Sequence, residues 1–479
     1  MIMLASRHKG VIVPCEGPVM SRLPRLSTAA QRAGTNCARL AMELAASCAA
    51  VRFAGPLRVL RGSRTIALEL ETFDNYCARI GAARVTSGEA LLAEPIGAPR
   101  IWTCVAPPPI IDQRRIITVD GVRQPWFASA LSAYPSTRQA YLHARSAIIY
   151  PRPGLIMAEM GAVYGNLLPY PQWVPDHRLT PGFVDFRDGK LVAHEDKLHP
   201  RGHVCRAVLV LCHAFHRNYA HWLFDCLPTL LPWRGALRHG RLAVLVPPLV
   251  AWQRRTLELL GVPGTAIIET PEPSVLCDNM IVPGLSSTDV EPTNMSKSCR
   301  FLPQPGPAKV EAIQILRAGI CPAAATDSPK YIYISRRDIE SFRCMRNEDE
   351  VELAMMRLGF AVVRPEDLSF DEQVATFARA RIIAGPHGAG LSNAVFAPPG
   401  CLVVEICADS WTPEYYARLT QLFQHNYLPV TFPSDGTLSQ PIFIDHAIIG
   451  QSHFYTVDTN MLIAILANVM RTLRIEPSR

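Results

Sequence analysis

The stretch Arg381-Ile-Ile-Ala-Gly-Pro-His-Gly-Ala-Gly-Leu-Ser-Asn393 decides how this chain is read. A short apolar run breaks into a glycine-rich turn, and a helix-compatible segment follows. Gly385, Gly388 and Gly390 remove side chains where a bulky ligand could touch backbone. The first N–H groups of a helix have no partner within it, so its start suits an anion such as a diphosphate. His387 and Asn393 add polar groups to the same turn. A strand, a glycine turn and a helix start inside an α/β pattern are where nucleotides are commonly held. The turn departs from G-x-G-x-x-G, so alone it specifies no particular ligand.

Outward from this turn, apolar runs alternate with helical periodicity. Continuous apolar runs predict buried strands at 207–212, 243–246, 266–268, 280–282, 330–335, 360–363, 381–384 and 401–406. Helices are predicted at 219–231, 249–260, 308–318, 347–358, 370–380 and 388–396. Ser369 with Glu372 reads as a capping box, and Asn347 with Glu350 as a close variant. An amphipathic segment at 460–473 is expected to pack back across the structure. This alternation argues for an α/β class with a doubly wound, parallel sheet. Residues 291–307 have few periodic apolar positions and read as an interdomain linker. The first 200 residues show only short β-like runs, at 64–70 and 147–150. The expected organisation is an N-terminal region of unclear fold at 1–125, one α/β domain at 126–305 and another at 306–479.

Bulk properties narrow the function classes. A 479-residue chain with 49% hydrophobic and 19% charged residues is folded rather than disordered. The net charge is +7, and only six of the 48 basic residues are lysines. That excess of arginine reflects either coding bias or a preference for anionic substrates, whose oxygens match the guanidinium fork. No basic stripe interleaved with aromatics occurs, so nucleic acid is not an expected partner. The 14 cysteines show no C-x-x-C and no metal-ligand spacing, and read as reduced buried thiols. No stretch offers 18 uncharged apolar residues, and residues 1–10 lack the apolar core of a secretory signal. The expected compartment is the cytoplasm, with peripheral contact at the inner face of the membrane as an alternative.

Four clusters carry candidate chemistry. In His216-Arg-Asn-Tyr-Ala-His-Trp-Leu-Phe-Asp225, His221 and Asp225 stand four apart and share a helix face. A carboxylate beside an imidazole orients it and raises its basicity, as a general base requires, although the same pair also serves structural ends. After the strand at 330–335 come Arg336, Arg337, Arg343 and Arg346. Arginines at the carboxyl end of a parallel strand point into the ligand crevice, where they can grip a diphosphate. The glycine turn is the third cluster. Glu405, ending a buried strand, is the fourth; it either meets ribose hydroxyls or caps the next helix. There is no D-x-D pair to hold a metal on a diphosphate. Arginines, imidazole and a helix start would then have to meet the leaving group's charge.

Five motifs, in order, resemble glycosyltransferase family 61. They are the His216–Leu223 stretch, the Ile-Ser-Arg336-Arg…Arg343…Asn347-Glu segment, Pro365-Glu-Asp-Leu-Ser-Phe-Asp-Glu-Gln373, Ala384–Asn393 and the Val404-Glu405 strand. The likeness runs from about residue 204 to 427, and residues 1–200 contribute nothing to it. The resemblance implies a GT-B-like architecture: two Rossmann-like domains with parallel sheets facing across a cleft. It implies inverting, metal-independent transfer of a hexosyl or pentosyl group from a nucleotide sugar, usually UDP-linked, without a cofactor. The acceptor would be a glycan or a lipid-linked polysaccharide precursor, as in capsule biosynthesis. Carried over by position, Arg336, Arg343, His387, Gly388, Ala389, Gly390, Asn393 and Glu405 would form the donor site in 306–479. His216, Asn218 and Trp222 would line the acceptor side in 126–305, with Asp225 or His221 as the base. A non-catalytic nucleotide-sugar-binding protein is the alternative, and retention of both His221 and Asp225 speaks against it.

Overall fold

The fold is given by a computed structural model. It describes residues 64–475 apart from 72, 93–98, 106–111, 120–137, 153, 160–161, 166–181, 189, 214, 287–306, 321–327, 340–342, 413–414, 436–441, 445–446 and 450–452. The linker expected at 291–307 therefore lies almost wholly outside the described residues. Two sheets carry the architecture.

The second sheet is parallel throughout. Its strands are β14 (Tyr331–Ile334), β15 (Ala361–Val363), β16 (Ile382–Pro386), β17 (Leu402–Ala408) and β18 (Asn426–Phe432) in the order β15-β14-β16-β17-β18. Alternate residues of these strands enter different cores. Tyr331, Tyr333, Ile382, Ala384, Leu402 and Val404 face one, while Ile332, Ile334, Ile383 and Val403 face the other. Both faces are thus covered, which is why the strands read as unbroken apolar runs. Helix Glu348–Arg357 covers the first face together with the terminal helix Thr459–Thr472. Helices Phe370–Phe377 and Tyr415–Leu422 cover the other. Because the chain changes face between β14 and β16, a crevice opens at their carboxyl ends.

The first sheet is mixed, which corrects the expectation of a parallel sheet at 126–305. Its parallel part comprises β10 (Val208–Val210), β11 (Ala243–Val246), β12 (Ile267–Glu269) and β13 (Val275–Ser286), in the order β12-β11-β10-β13. β13 then pairs antiparallel with β4 (Arg138–Tyr150) along its whole length, from Val275 opposite Ile149 to Ser286 opposite Arg138. Through β4 the sheet continues into strands as early as Thr65–Glu71. The boundary expected at 125/126 runs through this sheet, since strand Arg100–Val105 hydrogen-bonds to β4.

One continuous hydrophobic core reaches from this sheet to the second. It includes Leu209, Val244, Trp222 and Trp233 on one side and Ile334, Phe370 and Phe396 on the other. Helix Pro307–Ala318 contributes Ala312, Ile313 and Leu316 and packs on the segment Leu227–Trp233. Although it begins the sequence half assigned to the second sheet, it lies against elements of the first.

Two predicted helices take other forms. Residues 219–231 wind as an α-turn at Tyr219–His221, a π-turn at Trp222–Cys226 and a 3₁₀ segment at Leu227–Trp233. Pro228 has no N–H for the carbonyl of Phe224 and its ring would strike that carbonyl, so the coil widens just before it. Residues 388–396 form a 3₁₀-helix, Ala389–Phe396, rather than an α-helix. The Ser369–Glu372 capping box is present in both directions. Asn347 and Glu350 meet side chain to side chain, the amide donating to the carboxylate at 3.0 Å, but without the backbone bonds of a capping box. Asn347 also ties down the chain at Val457, accepting from its N–H and donating to its carbonyl.

Candidate active site at the ends of β10 and β16

The loop leaving β10 carries the first group of polar residues. Asn218 Oδ1 accepts from the N–H groups of Ala220 (3.0 Å) and His221 (3.4 Å), which starts the helical turn. The widened turn still brings His221 and Asp225 together. His221 Nδ1–H donates to Asp225 Oδ2 at 2.6 Å, because a carboxylate can only accept. The lone pair of the ring therefore sits on His221 Nε2. Asp225 is 1% exposed and His221 16%. Lys309 Nζ lies 3.6 Å from the second oxygen of Asp225, inside the core. Phe215 stacks on the His221 ring, and His213 lies 5.4 Å from it, centroid to centroid.

His213 and His216 are neutral by construction. The N–H of Phe215 donates to His213 Nδ1, so the proton of His213 sits on Nε2. Burial holds the pKa of His213 down to about 3, and that of His216 down to about 4. His216 Nδ1–H donates to the carbonyl of His213, and its own carbonyl accepts from Gln253. Trp222, expected on the acceptor side, is a core residue. It is fully buried and its indole N–H donates to Thr256 Oγ1 at 2.8 Å. His216, also buried, supports the loop from behind rather than lining an open surface.

At the switch point of the second sheet, Arg336 follows β14 and His387 follows β16. The glycines of the turn leave room for protein. A Cβ on Gly385 would meet the carbonyl of Ile334 at 2.9 Å, and one on Gly390 would meet Ile334 Cγ2 at 3.0 Å. A Cβ on Gly388 would stand 1.8 Å from Arg336 Nη1, so the guanidinium lies directly over this glycine. Arg336 is half-buried, and its backbone N–H donates to the buried carboxylate of Glu348 at 2.7 Å. Arg337 and Arg346 turn away to Glu352 and Asp435. Arg343 places its guanidinium 5.9 Å from the ring centroid of Trp411.

His387 is held as His221 is. Its Nδ1–H donates to Glu405, whose other oxygen accepts from the hydroxyl of Tyr427. The register explains this. Glu405 pairs with Gly385 on one side and Pro429 on the other, so His387 and Tyr427, each two residues away, fall on its face. Glu405 is 1% exposed with both oxygens engaged, so it acts through His387. Burial, and then the charges of Arg343 and Arg336, push the His387 pKa down against the pull of Glu405. Both arginines and the imidazole therefore share one neighbourhood.

Asn393 is fully buried and links the two regions. Its Oδ1 accepts from the Tyr219 hydroxyl at 2.7 Å, and its amide donates to Gln373 at 3.0 Å. Tyr416 bridges further, donating to the carbonyl of Gly388 and packing on His387, while its neighbour Tyr415 packs on Phe224. Residues 219–404 match the family model described as Glycosyltransferase 61. The chain carries a glycosyltransferase 61 domain. No curated protein matches the chain. The matched segment of this glycosyltransferase domain begins at Tyr219 and contains His221, Asp225, Arg336, Arg343, His387 and Asn393, stopping one residue short of Glu405.

Lys309, His213, Tyr219 and Tyr416 were not singled out by sequence. Lys309 left a signal: it occupies a core position of the stripe 309, 312, 313, 316. A lysine there needs a buried anion.

Proposed function

We propose that the protein is an inverting, metal-independent glycosyltransferase that moves a sugar from a UDP-linked donor to a glycan hydroxyl. In this reading His221 is the general base. Asp225 is 1% exposed and each of its oxygens already has a partner, His221 or Lys309, so His221 is the member of the pair that reaches an acceptor. Its part is to fix the imidazole tautomer and stabilise the imidazolium that forms. The attacking hydroxyl gives its proton to Nε2 as its oxygen displaces the nucleoside diphosphate from the anomeric carbon, inverting it. Arg336 and Arg343 take the charge of the departing diphosphate, each such donor being worth roughly 3 kcal/mol of barrier. Neutral His387, with its proton on Nδ1, offers a lone pair at Nε2. That matches a hydroxyl or N–H of the nucleoside better than a phosphate oxygen.

The observation that carries this is the meeting of both groups around Asn393, one from each parallel strand set, with a carboxylate-held imidazole in each. Strand orders β12-β11-β10-β13 and β15-β14-β16-β17-β18 support a GT-B-like arrangement, with the acceptor on the β10 side and the donor on the β14–β16 side. No helix of the described residues is long and apolar enough to cross a membrane. The test is UDP release from a panel of UDP-sugars with glycan acceptors, in excess EDTA. Stereochemically inverted product with undiminished rate is expected. Strict dependence on Mg²⁺ or Mn²⁺ overturns the metal-free mechanism.

A further inference from the structure

Away from the residues used above, three side chains with different donor atoms meet on the first sheet. Strand β9 (Gly202–Val204) pairs in parallel with β13, with His203 opposite Leu276 and Val204 opposite Cys277. Side chains alternate along strands, so His203 and Cys205 share a face, and Asp278, two beyond Leu276, joins them. The opposite face carries Cys277 into the core. His203 Nε2 lies 2.7 Å from Asp278 Oδ1, and Cys205 Sγ lies 3.8 Å from each nitrogen of the same ring. All three donor atoms fall within 4.8 Å of one another. His203 and Cys205 are exposed, so an ion reaches them from solvent.

We propose that His203, Cys205 and Asp278 form a surface site for a zinc-class divalent ion, with water completing the tetrahedron. Bonds of about 2.0–2.3 Å set tetrahedral donors roughly 3.3–3.8 Å apart, so the His203–Asp278 pair has to open by about 0.6 Å and the exposed His203 and Cys205 side chains have to turn toward a common ion. A thiolate with an imidazole selects zinc over magnesium or calcium, which prefer all-oxygen sites. Arg145, on neighbouring β4, acts on Asp278 and opposes a cation. The thiolate and the carboxylate supply the two negative charges that offset it. The sequence pattern hid this site because H-x-C is too short for a ligand motif and its third member lies 73 residues on, counted from Cys205 to Asp278.

The test is a Co²⁺ titration of the reduced, metal-free full chain, followed by Zn²⁺ competition. A thiolate-to-cobalt charge-transfer band that saturates and is erased by Zn²⁺ is expected. Cys205→Ser should lose the band, and His203→Ala should weaken binding at least about tenfold. Both positions are exposed, so thermal unfolding should not move. Absence of the band in the wild type, or its persistence in Cys205→Ser at unchanged affinity, overturns the site.

Discussion

His221 and His387 each give Nδ1–H to a buried carboxylate at the carboxyl end of a parallel strand set, yet their surroundings differ in charge. Near His221 the neighbours are a phenyl ring and a neutral imidazole, and the nearby cation, Lys309, is spent on Asp225. Around His387 stand Arg336 and Arg343, and the carboxylate partner is held by a tyrosine hydroxyl rather than an ammonium. The rings packed on His221, those of Phe215 and His213, bring no positive charge to it. A proton arriving on His387 meets two guanidiniums. On the proposed reading, the same pair of residue types serves as a base in one place and as a fixed acceptor beside an anion seat in the other.

The largest test of that contrast is His221→Ala. Turnover should fall by about 10²–10⁴-fold, the usual contribution of a general base, while UDP binding changes little. The matching change His387→Ala should instead weaken UDP binding. If the two variants lose the same parameter, the division of labour is wrong.

Arg336→Ala comes next, with a fall in turnover of about 10²-fold and the fold intact. Gly388→Ala sharpens it. The new Cβ must expel the end of a flexible side chain from 1.8 Å, so the protein should stay folded while Arg336 loses its seat. Roughly a tenfold loss of UDP affinity is expected, about 1.4 kcal/mol, and none on top of Arg336→Ala. Additive losses in the double variant would mean that Gly388 serves the ligand directly.

How much of this contrast the sequence exposed depends on locality. His221 and Asp225 were legible because four residues of separation suffice, and the π-turn kept them together. The second sheet was legible because strands covered on both faces leave unbroken apolar runs. The mixed first sheet was not, since the pairing of β13 with β4 spans more than 120 residues and leaves no local pattern. Nor was the choice among arginines: Arg337 and Arg346 look like Arg336 in sequence, and only distant Glu352 and Asp435 draw them away. Glu405 read as a ribose ligand or a cap because its partners, His387 and Tyr427, come from other strands.

Acid separates the two regions by another route. With folded pKa values near 3 and 4, His213 and His216 stay neutral while the unfolded chain takes up protons below about 6.5. A depressed histidine leaves stability intact above the unfolded value and lost as pH falls below it. Each should cost about 1.4 kcal/mol per pH unit between roughly 6.5 and its folded pKa. Urea midpoints measured from pH 7 to 5 should fall, and His213→Gln should flatten the fall. An unchanged slope would show that the β10 loop does not hold its imidazoles neutral.

The smallest expected effect concerns the link between the regions. Tyr219→Phe removes the hydroxyl that donates to buried Asn393 and leaves that acceptor without its 2.7 Å partner. An orphaned buried acceptor costs about 1–3 kcal/mol, which denaturant unfolding resolves. Tyr219 touches neither reacting group, so the chemistry at His221 should survive, and only the relative placement of acceptor and donor should loosen. That predicts a modest fall in turnover, less than about tenfold, with UDP affinity unchanged. A drop as deep as that of His221→Ala would make Tyr219 part of the chemistry. No change in either stability or turnover would mean that the two regions keep their positions without this hydrogen bond, through contacts such as the shared core of Trp222, Phe370 and Phe396 and the Arg255–Asp371 pair.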